Sequence, residues 1–444
     1  MLTIRSIRNW VLLAGLIVSM QVVPTQAQTP APPLNALSLE DARRAAFLKN
    51  WDLLAARSDV DGATAQRLVS REFPNPSLSL GTSKINVDGH PSSTAEGNGF
   101  WDRNYDSVAA ISQLIEIGGK RAARKDAATA GLRGAEARLA DARRLLDQAV
   151  TQAYVSALLA DRNQRVLADS ASSLRQEAKI AAVRQRAGDI STADQSQIEI
   201  ASDRLDLDAR AAEGVAHAAR IQLEILLGEP KPEGNIRLAD SLENLALAAT
   251  TSKALDPDAG QTAGNRRPDL VAAEAMRVKA DADLRLQRAQ RVPDPTFSVQ
   301  YEHQPLDQPN TVGFAVSFPL QLWNRNKGGI AGAEASARQA AGHADKIRAQ
   351  ILADIATAKS NFATAQERWR RYREDLQPKA QKVREIVAFA YQKGGASLLD
   401  LLTAQRTENE VRLAAAQSVA DSANAAAALR AALDTGPPSN SIKP

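Results

Sequence analysis

The side chains able to hold a cation or move a proton are few and scattered. Histidine occurs four times, at His90, His217, His303 and His343, and cysteine not at all. A protein-bound metal needs ligands that converge, commonly at i, i+3 or i, i+4, and no two of the four histidines stand at such a spacing. His90 beside Asp88 and His303 beside Glu302 fall in expected loops, and His343 lies among alanines and charges, so solvated side chains are expected there. Met276 is the one methionine beyond the N-terminal 27 residues, which excludes a thioether relay for copper or silver. The lack of cysteine excludes disulfides, thiolate metal sites, iron-sulfur clusters, cysteine nucleophiles and a lipid anchor on cysteine. No nucleophile, histidine and acid stand grouped, so neither an enzyme nor a cofactor site is expected.

Two serine-acid pairs do stand out. Ser191-Thr-Ala-Asp194 follows Gly188 and Asp189, and Ser397-Leu-Leu-Asp400 follows Gly394 and Gly395. A serine three residues ahead of an acid is the form of a capping box at a helix start, where the helix dipole favours negative charge. The stretch 368–373, four arginines with Trp369 and Tyr372, superficially resembles a nucleic-acid patch. With 55 basic against 51 acidic residues the chain is nearly balanced, and a solvated helix face is the expected reading.

The elements that position these groups come in two copies. Arg71-Glu-Phe-Pro-Asn-Pro-Ser-Leu-Ser-Leu80 recurs as Arg291-Val-Pro-Asp-Pro-Thr-Phe-Ser-Val299, with Pro74 and Pro76 matching Pro293 and Pro295. Ser112 matches Ser317, and the two glycine-serine-aspartate turns match each other. A period this long means a duplicated unit, with a longer loop between the strand-like segments of the first copy. Each unit opens with a helix, expected at 42–56 behind Ser38 and Asp41 and at 272–290 behind Arg267-Pro-Asp-Leu270.

Two strand-like pieces follow in each unit. Phe297, Val299 and Tyr301 alternate with Thr296, Ser298 and Gln300. Val312, Phe314, Val316, Phe318, Leu320 and Leu322 alternate with Gly313, Ala315, Ser317, Pro319 and Gln321. The first copy repeats this more weakly with Leu78 and Leu80, then Ile111, Ile115 and Ile117. A half-buried soluble sheet also alternates in this way, and is the commoner cause. Long proline-poor stretches rich in alanine, arginine, glutamine and glutamate come next, 121–187 and 327–393, the second containing Pro378. About 65 helical residues span roughly 100 Å, more than a compact domain needs. Leu146, Val150, Tyr154 and Leu158 recur at helical spacing and mark a buried stripe.

These readings give residues 1–27 as a signal peptide cleaved after Ala27, 28–37 as an extended leader and 38–228 as the first unit. Residues 229–266 follow as an irregular linker, 267–434 as the second unit and 435–444 as a flexible tail. Four strands per chain cannot bury a core alone, and in lipid their open edges are forbidden. A membrane-embedded sheet of this kind must close with copies of itself into a barrel, with its small and polar face lining a lumen that the long helices extend. Physics alone permits two, three or four copies.

The duplicated strand, strand, long helix, turn, shorter helix plan, with Arg267-Pro-Asp-Leu270, Gly118-Gly-Lys-Arg121 and the twin Gly-x-x-Ser-x-x-Asp turns, resembles the TolC family of outer-membrane efflux proteins. Residues 115–121 and 318–328 are most similar to the cobalt-zinc-cadmium efflux components of that family. The resemblance implies a mainly α fold with a β-barrel part: a homotrimer, four strands per chain in a twelve-stranded outer-membrane barrel, continued by a periplasmic helical tunnel. It implies a periplasmic adaptor and an inner-membrane resistance-nodulation-division pump as partners, outer-membrane lipid around the barrel, no nucleic acid, and a Gram-negative outer-membrane location. Divalent heavy-metal cations are the expected export substrate. The alternatives are a drug-efflux or type I secretion duct of the same family, or a soluble periplasmic coiled-coil adaptor.

The family's periplasmic gate falls on Asp400, with its second acidic position occupied by Thr403. A threefold ring of carboxylates there concentrates cations. The turns Gly188, Asp189, Ser191, Asp194, Gly394, Gly395 and Ser397 are the expected adaptor contacts. Phe297, Val299, Tyr301, Val312, Phe314, Val316 and Phe318 are the expected lipid face, with Phe100, Trp101, Tyr105, Tyr301 and Trp323 as interfacial aromatics.

Overall fold

A computed structural model describes residues 36–83, 106–250, 266–304 and 310–433. The signal segment, most of the leader, His90, Phe100, Trp101, Tyr105 and the tail lie outside the described residues. In chain order the elements of the first half are α1 Leu39–Lys49, α2 Trp51–Val69, β1 Ser77–Ser83, β2 Asp106–Leu114, α3 Lys120–Arg186, α4 Thr192–Leu226 and α5 Leu242–Thr250. The second half contains α6 Pro268–Ala289, β3 Thr296–His303, β4 Thr311–Ser317, α7 Lys327–Arg371, a π-helical turn Tyr372–Leu376, α8 Gln377–Gln392 and α9 Leu398–Leu433.

The helices carry the mass of the protein and its cores. α3 runs unbroken for 67 residues, roughly 100 Å at 1.5 Å per residue. Its stripe Leu146, Val150, Tyr154 and Leu158 is buried against α1, α2, α4, α5 and α9 through Ala42, Ala46, Leu53, Leu223, Leu227, Leu242, Ala246, Val419 and Ala423. A second core joins Leu270 of α6 to Ile351, Ile355 and Ala358 of α7 and Leu429, Ala432 and Leu433 of α9. Alanine is the commonest buried residue of α3 and α9, so these helices can approach their neighbours closely.

Four elements differ from the sequence expectation, each for a local reason. The opening helix is two helices: Asn50 leaves the helical backbone, its side chain accepts from Leu53 N at 3.1 Å, and its amide donates to the Leu226 carbonyl at 3.0 Å. The second long helix is interrupted at the π turn. Pro378 lacks an N–H and its ring crowds the carbonyl four residues back, at Glu374, and widening that turn relieves both. The linker contains α5, whose start is capped by Ser241 accepting from Asn244 N at 3.2 Å. The linker also pairs with Leu37, which donates to the Arg237 carbonyl at 2.7 Å and accepts from Ala239 N at 2.9 Å.

The fourth difference concerns strand ends. β2 stops at Leu114 and β4 at Ser317, so Ile115, Ile117, Phe318, Leu320 and Leu322 lie beyond the strands. Phe318 is exposed but is no part of the strand face assigned to it. Pro319 offers no donor for a further rung, and after β2 the chain instead hydrogen-bonds the opposite copy, Ile115 N donating to Pro295 O at 2.9 Å.

Candidate functional site in the sheet and at the helical turns

The four strands form one antiparallel sheet in the order β1-β2-β3-β4, so β2 and β3, which come from different copies, meet in the middle. The register sorts most side chains by character, with Val108 and Leu114 on the small-residue face and Gln113 on the apolar one as exceptions. Leu78 and Leu80 stand beside Ile111 and Ala109, these beside Val299 and Tyr301, and these beside Phe314 and Val312. Phe297 pairs with Val316 on the same face. The opposite face carries Ser77, Ser79, Gly81, Ala110, Ser112, Ser298, Gln300, Gly313 and Ala315. The apolar face is open: Leu80 is 75% exposed and Phe314 81%.

On the small-residue face Ser112 and Ser298 place their hydroxyl oxygens 2.8 Å apart. Gly313 lies under Gln300, whose Cγ stands 3.1 Å from where a Cβ would be, so a larger residue would displace that side chain. Tyr301 closes the far end of β3 through a hydrogen bond from its hydroxyl to Asn310, and His303 Nδ1 lies 3.3 Å from the same Asn310 oxygen. His343 is exposed on α7 and His217 on α4. Among the described residues no three of histidine, aspartate and glutamate converge as a cation site, and no helix is long and apolar enough to cross a membrane.

Where sheet turns into helix, charged groups fix the junction, and one of their clusters joins the two copies. Lys120 is buried, its Nζ 2.6 Å from Asp294 Oδ1 and 2.5 Å from the Val292 carbonyl, and Ile117 N donates to the same carboxylate at 2.9 Å. Arg124 donates twice to Glu116, at 2.6 and 2.8 Å. Arg121 bonds the Arg71 carbonyl and lies 3.8 Å above the Phe73 ring. The twin prolines and Gly118-Gly-Lys-Arg121 are the sequence signals of this junction.

At the other end of the helices the two turns pack together. Gly188 (φ +84°) and Gly394 (φ +78°) adopt the left-handed conformation that lets each long helix reverse. Ser191 and Asp194 form a reciprocal capping box, and so do Ser397 and Asp400: the Asp400 carboxylate accepts from Ser397 N at 3.0 Å and from its hydroxyl at 2.7 Å. These bonds hold the Asp400 carboxyl below the usual carboxylate range. Asp400 and Thr403 are both exposed on one stripe of α9, as are Gly188, Asp189, Ser191, Gly394, Gly395 and Ser397 on the turns, while Asp194 is half-buried.

Leu174, Ala178, Ala181, Ile198, Tyr391, Leu398 and Leu401 form a core under both turns. Arg184 stacks on the Tyr391 ring at 5.4 Å, and burial pushes the Tyr391 hydroxyl up. Behind this core lies a polar layer absent from the sequence reading: Ser170 donates to Asn409 at 2.5 Å, and Arg384 to the buried Glu408 at 3.0 Å. The basic stretch 368–373 is paired rather than free: Arg370 binds Glu367, Arg368 lies 3.6 Å from Asp421, and Arg373 stacks on Trp369, which is buried in the main core.

An open apolar sheet face above a helical rod describes a membrane wall joined to a long duct, and known proteins share this arrangement. The family model described as outer membrane efflux protein matches residues 42–229 and 259–435, one match in each half. The cobalt-zinc-cadmium resistance protein CzcC of Cupriavidus metallidurans is 26% identical over 393 residues, covering 88% of each chain. The pyoverdine export outer membrane protein OpmQ of Pseudomonas aeruginosa is 24% identical over 398 residues, covering 86% of this chain and 82% of its own. Among solved structures, CusC, described for transmembrane channel formation, superposes with a TM-score of 0.75 at 18% identity, covering 92% of this chain and 97% of its own.

Proposed function

This chain belongs to the outer membrane efflux protein family, and from that premise we propose that it is the outer-membrane exit duct for divalent heavy-metal cations. The family's members are efflux channels and not enzymes, and they serve tripartite systems with an adaptor and an inner-membrane pump. One observation carries the channel reading: a sheet whose bulky face is open to its surroundings and whose two outer strands are unpaired, set on helices roughly 100 Å long.

In this reading three copies supply twelve strands. Phe297, Val299, Tyr301, Val312, Phe314 and Val316 face lipid, and the serines, glycines and alanines of the other face line the lumen. Tyr301 at the hairpin end and Trp323 at the helical end, both exposed, mark the two lipid-water interfaces. The lumen wall offers hydroxyls along most of its length, with the carboxylates Asp106 and Glu302 on the same face toward the strand ends. Asp400 supplies a ring of carboxylates where the tunnel narrows, with Thr403 the next side chain on the same stripe. The exposed turns meet a periplasmic adaptor that couples the duct to a resistance-nodulation-division pump. Without cysteine the chain has no thiol for a lipid, and its strands hold it in the outer membrane.

The cation reading rests on the similarity to CzcC across most of both chains. The similarity to OpmQ supports an organic solute as the second reading. Deleting the chain from its host and measuring tolerance to cobalt, zinc and cadmium beside tolerance to organic efflux substrates separates the two. Loss of metal tolerance alone supports the proposal, and loss confined to organic substrates replaces it with the second reading.

A further inference from the structure

Where α1 begins, a cavity of about 340 Å³ opens between α1, α3, α5 and α9, with Asp240 of the linker on its wall. It lies among elements of both copies and the segment that joins them. Its volume is that of a small-molecule site, since such pockets start at about 300 Å³. Val155, Leu245, Ala423 and Ala427 make one part of the lining apolar. Glu40, Arg43, Asp240 and Arg430 make another part charged.

These four charges are unequally matched. Glu40 pairs with Arg44 at 3.3 Å and is largely exposed. Arg43 places Nε 2.9 Å from Asp147 Oδ1 and donates through Nη2 to the Thr151 hydroxyl at 2.9 Å. Arg430 is half-buried and, among the described residues, has neither an ion pair nor a hydrogen bond. Burial lowers the pKa of Arg43, Asp147 opposes this, and the charge of Arg430 adds to it, so the two guanidiniums act on each other. Asp240 Oδ2 accepts from Leu39 N at 2.8 Å and from the Tyr154 hydroxyl at 2.9 Å. Both donors are neutral, and among the described residues no cation pairs with this carboxylate. Arg430 and Asp240 therefore bring opposite charges to one cavity and stand too far apart to pair with each other.

We propose that the cavity binds a free amino acid with a short apolar side chain. Arg430 and Arg43 receive its carboxylate, Asp240 receives its ammonium, and the valine, leucine and alanine wall covers its side chain. A guanidinium presents a planar fork of donors that matches a carboxylate, and the donors of Arg430 are unused. A carboxylate without an ammonium would be repelled by Asp240, and an amine without a carboxylate would leave Arg430 uncompensated. A zwitterion answers both charges. The bound molecule ties the start of α1, the linker and the end of α9 together, so it stabilises the folded chain as its concentration rises. The site goes beyond the export reading and does not depend on it.

Isothermal titration of the full chain, purified in detergent, with L-leucine tests the proposal. L-leucinamide, which lacks the carboxylate, and 4-methylpentanoate, which lacks the ammonium, are titrated beside it at the same salt concentration. Saturable binding of leucine is expected, with each of the other two weaker by about tenfold or more. R430Q should weaken leucine by a similar factor, and D240N, which keeps an acceptor for Leu39 N and the Tyr154 hydroxyl, should erase the preference for leucine over 4-methylpentanoate. No saturable binding of leucine to the parent chain, or leucine binding that R430Q leaves unchanged, overturns the site. Equal binding of leucine and 4-methylpentanoate by the parent chain refutes the role of Asp240 and with it the amino acid as ligand. The three ligands compared on the parent chain decide the matter even where a variant fails to fold.

Discussion

Lys120 opens the long helix of the first copy and Asp294 leads into the first strand of the second, and their ammonium and carboxylate meet 2.6 Å apart in a largely buried site. The bridge therefore fastens the helix start of one half to the strand start of the other, where duct becomes barrel. Lys120→Met leaves the carboxylate with only the Ile117 N–H, and removing one partner of a buried pair costs about 3–5 kcal/mol. Asp294→Asn keeps an acceptor for that N–H but leaves the more buried Lys120 ammonium without its counter-charge, so its cost is of the same order. Unfolding midpoints of both variants and of the double variant give the coupling between the two residues. A coupling below about 0.5 kcal/mol would mean that the bridge is incidental.

Tyr154 makes a comparable tie nearer the middle of the rod. Its ring is fully buried and its hydroxyl lies 2.7 Å from the Leu37 carbonyl and 2.9 Å from Asp240 Oδ2, joining the start of the described chain and the linker to α3. Burial pushes this hydroxyl's pKa well up, so it stays a donor. Tyr154→Phe should cost about 1–3 kcal/mol through the acceptors left behind, with conductance unchanged because the hydroxyl is enclosed in the main core. Lost conductance at unchanged stability would contradict this division of labour.

The contrast between strand and junction explains what the sequence reveals. Period-two alternation at Phe297 to Tyr301 and Val312 to Val316 needs only the pleat, and the sheet displays the faces so marked. The twin serine-aspartate turns are equally legible because a cap is a contact between residues three apart. Lys120 and Asp294, or Ser170 and Asn409, are separated by most of a repeat or more, and only the packing of whole helices brings them together. Phe318 misled because alternation continued in sequence past the point where Pro319 ends the rungs.

Arg267-Pro-Asp-Leu270 combines both kinds of signal. Pro268 starts α6, as a helix-start reading predicts, but the Arg267 guanidinium also bridges Asp269 at 2.7 Å and Asp354 of α7 at 2.9 Å while only 4% exposed. Burial opposes the charge on Asp269, yet the hydrogen bonds and charge of Arg267 outweigh it and hold the carboxyl below its usual range. A depressed carboxyl contributes stability that is present above its unfolded value, about 3.9, and is lost as pH falls through the folded value. Asp269→Asn should thus be destabilised at pH 5–8 and approach the parent protein below about pH 3. A penalty of equal size at all pH values would assign the effect to shape rather than charge.

Asp400 is held by the same logic but on an open surface, and here cap and gate can be separated. Ser397→Ala removes the hydroxyl that accepts from Asp400 N and donates to its carboxylate, yet leaves the charge in place. Asp400→Asn removes the charge and keeps the side-chain size. If the proposed ring of carboxylates sets ion preference, planar-bilayer recordings should find cation selectivity retained in Ser397→Ala and lost in Asp400→Asn. If Asp400 is only a cap, both variants should fray the turn alike and leave selectivity untouched. The hydrogen bonds from Ser397 lower the Asp400 carboxyl, while the like charges of a threefold ring act in the opposite direction. Selectivity in the parent channel should therefore be lost on acidification, with the loss moved to higher pH in Ser397→Ala. Selectivity lost at the same pH in the parent and in Ser397→Ala would separate the cap from the charge that selects.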